Sequence, residues 1–111
     1  MKHVDTTNLE SREIMKGFHG RMIHSDNMTF AHWEINAGAS LPEHSHMHEQ
    51  VVNVISGEFE LTVDGVTKRL KPKDVVCIPS NAIHQGKAIT DCFIIDVFFP
   101  IREDYRDKAK Y

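Results

Sequence analysis

Short runs of apolar and β-branched residues, cut at regular intervals by turn-forming residues, run along most of this chain. Phe30 to Ile35 is one run, closed by Asn36-Ala37-Gly38, and Gln50 to Ile55 is another, closed by Ser56-Gly57. Phe59, Leu61 and Val63 alternate with Glu58, Glu60 and Thr62, the period-two pattern of a half-buried strand. Asp64-Gly65 follows as a two-residue hairpin signal, with Val66 to Leu70 as the returning strand. Lys71-Pro72-Lys73-Asp74 marks a turn, and Val75 to Ile78 a further strand ending at Pro79. Ile89 to Phe99 reads as the last long strand, stopped by Pro100. No segment reads as a long helix. The pattern predicts an all-β sandwich or barrel.

With 111 residues there is room for one domain, and the apolar 41% suffices for one modest core. The barrel is expected over residues 20–101. Residues 1–19 are read as an N-terminal arm or edge strand, and the charged residues 102–111 as a solvated extension or short helix. A formal charge of −3 with no basic stripe argues against a nucleic-acid partner. The polar start lacks the basic and apolar regions of a signal peptide. The apolar stretch Cys92 to Ile101 is interrupted by Asp96 and too short to cross a bilayer, so a cytoplasmic protein is expected. Cys77 and Cys92 lie in apolar surroundings without Cys-x-x-Cys spacing and are read as buried free thiols.

Candidate chemistry enters with the eight histidines. His44, His46 and His48 fall within five residues, and on an extended strand residues two apart share a face, so His44 and His46 can point at one ion. Gln50 follows four residues after His46, and His84 comes just after the Pro79-Ser80-Asn81 turn, where a neighbouring strand can bring it opposite the pair. Imidazole nitrogens and an amide oxygen form a sensible ligand set for a divalent transition ion. The expected metal ligands are therefore His44, His46, Gln50 and His84, with the ion nickel, zinc, manganese, iron or copper. His48 is left between a further contact and a turn residue. His3 and His19 are read as structural or exposed, and His24 and His32 as the remaining histidines best placed to line a pocket.

Asp96 sits inside the apolar stretch Cys92 to Phe99, a costly place for a carboxylate unless it is paired or faces a wet cavity. Phe98 shares its face, and Arg102 follows beyond Pro100. Together they would supply an acid/base group, an apolar wall and a carboxylate clamp for a small anionic ligand such as a sugar acid. The alternative is a structural hydrogen bond at Asp96, a core Phe98 and an exposed Arg102.

The stretch Gly38 to Gly57 resembles the first cupin motif: glycine, five residues, His44-Ser45-His46, three residues, Gln50, six residues, Gly57. Lys73 to His84 resembles the second, with Pro79 and His84 in place and Lys73 and Asn81 where glycines are usual. The resemblance implies a single-domain double-stranded β-helix, or jelly-roll barrel. Gln50 departs from the family's more frequent glutamate, leaving a neutral ligand set whose ion keeps its full charge and attracts anions. With Asp96 to Tyr105 added, the chain is similar to the small cupins of pectin and alginate breakdown known as the KdgF family. That similarity implies metal-dependent opening of 4,5-unsaturated uronate monosaccharides to linear 4-deoxy-5-keto uronates, with Asp96, Phe98 and Arg102 as catalytic residues, in a homodimer. A cupin oxygenase and a non-catalytic small-molecule-binding cupin are the alternatives.

Overall fold

The computed structural model describes residues 1–106. After a 3-10 turn at Thr6–Asn8, its strands are β1 (Arg12–Met15), β2 (Phe18–His24), β3 (Thr29–Ile35), β4 (Ser40–His44), β5 (Glu49–Ser56), β6 (Phe59–Val63), β7 (Val66–Leu70), β8 (Val75–Ile78), β9 (His84–Ala88) and β10 (Cys92–Phe99). A short helix, α1 (Glu103–Arg106), follows. One antiparallel sheet has the order β1-β2-β3-β10-β5-β8 and the other β4-β9-β6-β7. This is the all-β two-sheet barrel that the alternating pattern predicts.

β10 lies between β3 and β5 at the middle of the larger sheet. Cys92, Ile94, Asp96 and Phe98 are buried on its inner face, while Phe93, Ile95 and Val97 are only half-buried on the outer one. Both faces are therefore apolar, which explains why the sequence there reads as a continuous run. Opposite it, Phe59 and Leu61 of β6 turn inward and Glu60 outward. Asp64 and Gly65 both take positive φ, 46° and 81°, and close the β6–β7 hairpin across the Val63–Val66 pair.

Gly57 has φ +86°, and a Cβ there would collide with the carbonyl of Asp91, so the residue closing the first motif has to be glycine. Lys73 and Asn81 keep the left-handed backbone of the glycines they replace, with φ 79° and 65°. The turn geometry of the second motif persists although its usual residues do not.

Some expectations need correction. The last strand starts at Cys92, since Ile89 to Asp91 form the connection from β9. Cys77 is exposed, because on edge strand β8 the inward positions are Val76 and Ile78; Cys92 is buried as expected. Among the described residues, no helix is long and apolar enough to cross a membrane. Of the charged tail, residues 107–111 lie outside the described residues.

Candidate metal centre and adjoining cavity

His44 ends β4 and pairs directly with His84, the first residue of β9. Their rings lie 4.1 Å apart between centroids. His46 is not on the strand with His44. It stands in the bend beyond it, where its carbonyl accepts the N–H of Asn81 at 2.8 Å and ties the two motif loops together. The ring of His46 lies 5.0 Å from that of His84 and 5.7 Å from that of His44. One ligand-capable atom from each of the three histidines falls within 4.8 Å of the others, so the cluster can hold a metal ion.

The hydrogen bonds around these rings set their tautomers. Nδ1 of His44 faces the Pro42 carbonyl at 2.9 Å, Nδ1 of His46 the His48 carbonyl at 3.1 Å, and Nδ1 of His84 the Ala82 carbonyl at 2.9 Å. A carbonyl only accepts, so each Nδ1 carries the proton and each neutral ring presents its Nε2 lone pair. Burial, reinforced by the charge of Arg102, pushes His46 down to about 4, and burial also lowers His84. These two rings therefore stay neutral at physiological pH. Nε2 of His84 is buried without a hydrogen-bond partner.

Gln50, inward on β5, sets its Oε1 3.1 Å from Nε2 of His46, while its amide hydrogen-bonds Asp96. Two acceptors then face each other with no proton to share, an unfavourable pairing that a cation between them reverses. The residues thus fit a divalent ion on two separate grounds: an orphaned buried nitrogen and an opposed acceptor pair.

The histidines open onto a cavity of about 250 Å³ that also takes in Gln50, Trp33, Asp96, Phe98, Arg102 and Tyr105. Asp96 is 8% exposed. The indole N–H of Trp33 donates to its Oδ2 at 3.1 Å, and Oδ1 is buried with no partner. Burial pushes the Asp96 carboxyl up to about 7, against the pull of hydrogen bonds from Gln50 and Trp33 and of the Arg102 charge. Phe98 is buried beside His46, with ring centroids 5.7 Å apart.

Arg102 is not an exposed tail charge: its side chain is 13% exposed and caps the cavity. Its guanidinium lies 4.7 Å from the centre of the Phe98 ring and 4.2 Å from that of Tyr105. Asp104 accepts from its Nε and Nη2 at 3.0 and 2.9 Å, leaving three of the five N–H groups unused by that carboxylate.

The structure therefore brings His44, His46, Gln50, His84, Asp96, Phe98 and Arg102 to one cavity. His48 is not among its lining residues; its ring packs at 6.4 Å from that of Phe98. His24 and His32 line a separate groove with Lys2 and Phe30. Trp33 and Tyr105 escape sequence reading. Trp33 falls in a strand run where an aromatic signals core, and Tyr105 in a charged segment with no pattern to orient it.

Residues 31–98 match the Cupin_2 family (Cupin domain). The pectin degradation protein KdgF of Dickeya dadantii (strain 3937) is 29% identical over 83 residues, which cover 73% of this chain and 76% of that protein. Among solved structures, KdgF from Halomonas sp. superposes with a TM-score of 0.89 at 25% identity, over 95% of this chain and 98% of its own. An RmlC-like cupin from Shewanella frigidimarina NCIMB 400 gives a TM-score of 0.88 at 31% identity, over 95% and 96% of the two chains. The matched span begins on β3 and ends at Phe98, enclosing the histidine cluster and Asp96, and it makes this chain a member of the Cupin_2 family.

Proposed function

We propose that the protein is a metal-dependent isomerase that opens 4,5-unsaturated uronate monosaccharides to linear 4-deoxy-5-keto uronates in pectin or alginate breakdown. The observation that carries this reading is a buried carboxylate, Asp96, sharing one cavity with three histidines and a guanidinium. The similarity to KdgF, a pectin degradation protein, supplies the substrate class.

His44, His46, His84 and Gln50 would hold the ion, and a divalent ion there supplies Lewis acidity toward substrate oxygens. Asp96 takes the proton of the anomeric hydroxyl as the bond between carbon 1 and the ring oxygen breaks and carbon 1 becomes an aldehyde. The released enolate becomes a ketone at carbon 5 when Asp96 returns the proton to carbon 4. The reaction is an isomerisation, so no oxidant or reductant is needed. Oδ1 of Asp96 has no protein partner to compete for that proton. A carboxyl poised near neutrality is suited to both accepting and returning it. Arg102 receives the substrate carboxylate, and Phe98 packs against the sugar. Within this reading the protein works as a homodimer: Ile55, Val75 and Phe99 stand exposed on the outer side of the larger sheet, an apolar surface that a second copy would cover.

The test is direct. Metal-loaded protein is incubated with an unsaturated uronate, and loss of absorbance from the conjugated double bond is followed against the uncatalysed rate. Accelerated loss with appearance of the 5-keto acid is expected. Binding without acceleration would leave a sugar-acid-binding cupin instead.

A further inference from the structure

Arg102 itself lies outside every strand. β10 ends at Phe99, the Phe99–Pro100 peptide is cis, and the chain turns back so that the Arg102 guanidinium lies over Phe98. The carbonyl of Arg102 is used within the following turn, by the N–H groups of Tyr105 and Arg106. Its own N–H goes instead to the hydroxyl of Thr29, at 2.9 Å. Thr29 starts β3, pairs with Phe98 across the sheet and is fully buried. The same hydroxyl lies 2.9 Å from Nδ1 of His24. The His24 ring in turn faces the backbone of Tyr105, so Thr29 holds the Arg102 end of the turn directly and its partner His24 lies at the other end.

We propose that Thr29 is a positioning residue for carboxylate recognition: by holding the backbone of Arg102, its hydroxyl sets where the guanidinium stands at the cavity rim. Asp104 fixes the rotation of the guanidinium through two of its N–H groups, while Thr29 fixes its origin. Neither residue belongs to the His44, His46 and His84 cluster, so metal occupancy should not change with either. The inference rests on the reading that Arg102 receives the substrate carboxylate.

Thr29→Val keeps the shape and removes the hydroxyl, Thr29→Ser restores it, and Thr29→Ala stands in if the valine variant does not fold. Trp33, the only tryptophan of the chain, lines the cavity and reports binding by its fluorescence. The probes are glucuronate and its uncharged methyl ester. Loss of the hydrogen bond that holds the Arg102 N–H predicts that Thr29→Val binds glucuronate about tenfold more weakly, with affinity for the ester changed less than about twofold. KM for the unsaturated uronate should rise about tenfold, with kcat within about twofold. Thr29→Ser should restore both, and metal content should match wild type throughout. Unchanged glucuronate affinity in the folded valine or alanine variant overturns the inference, as does equal weakening for acid and ester. If wild-type protein binds glucuronate but turns nothing over, only the proposed activity fails. If it binds no glucuronate, both fail.

Discussion

The indole N–H of Trp33 and Oδ2 of Asp96 meet at 3.1 Å in the barrel interior, joined across two neighbouring strands that lie 63 residues apart in sequence. The contact is diagonal in the β3–β10 ladder, since Asp96 pairs with Ala31 and Trp33 with Ile94. It fixes one oxygen of the carboxylate and leaves the other buried without a hydrogen-bond partner. The asymmetry suits a group that must present one oxygen to a substrate.

Asp96→Asn keeps the side-chain shape and removes the carboxyl that can accept and return a proton. Turnover of unsaturated uronate should fall by about 10²–10⁴-fold. Metal content, measured by elemental analysis, should stay at the wild-type level. An unchanged rate would remove Asp96 from the chemistry.

The same substitution should reveal a titration in stability. Burial raises Asp96 from the ordinary 3.8 to about 7, so between those values the folded chain holds a proton that the unfolded chain has released. Its contribution is therefore full below about pH 4 and drains away as pH rises through 7. His46 acts in the opposite sense: lowered from 6.5 to about 4, it stabilises above pH 6.5 and loses that effect as pH falls toward 4. The informative quantity is the difference between Asp96→Asn and wild type, measured by urea unfolding of chelator-treated protein. The variant should gain on wild type from pH 4 to 7, by at most about 4 kcal/mol, and then level off. A flat difference would show that burial does not hold the proton on Asp96.

Divalent ion should raise the melting temperature of chelated protein, and the gain should keep growing with the logarithm of free ion concentration above Kd. At a free concentration 100-fold above Kd the gain is about 3 kcal/mol. His84→Ala should abolish the response, because it removes the buried nitrogen that lacks any other partner. An equal shift in that variant would locate ion binding away from the three-histidine cluster.

Lys73 is exposed and sits at φ 79°, where its Cβ is strained and glycine is not. Lys73→Gly should stabilise the protein by about 1 kcal/mol in urea unfolding. Asn81→Gly should give less, since asparagine tolerates this region better. A loss at position 73 would mean that the lysine side chain contributes more than its backbone costs.

How far these features can be read without coordinates depends on where each partner lies. His44, His46 and Gln50 are legible because their relation is local, and Asp96 because a lone carboxylate stands out in an apolar run. Thr29 and Trp33 are not, because their roles come from the register of β3 against β10, which no local spacing encodes. β9 hides for another reason. It buries His84, Gly86 and Ala88, which carry little apolar signal, and Gly86 is small where the Phe59 ring lies close. The exposure of Cys77 is set by strand parity, which puts it outside the barrel between two inward neighbours.

His44 and His84 belong to the smaller sheet and Gln50 to the larger, with His46 on the loop between them. Any ion gripped by all four would staple the two layers at their open end, while the opposite end is already tied by hydrogen bonds between its connections, among them Ile89 N–H to the Glu58 carbonyl and Ala37 N–H to Asp91. Filling the site and shutting that end of the sandwich would then be a single event, so the mouth of the barrel should be softest to hydrogen exchange when the staple is withdrawn.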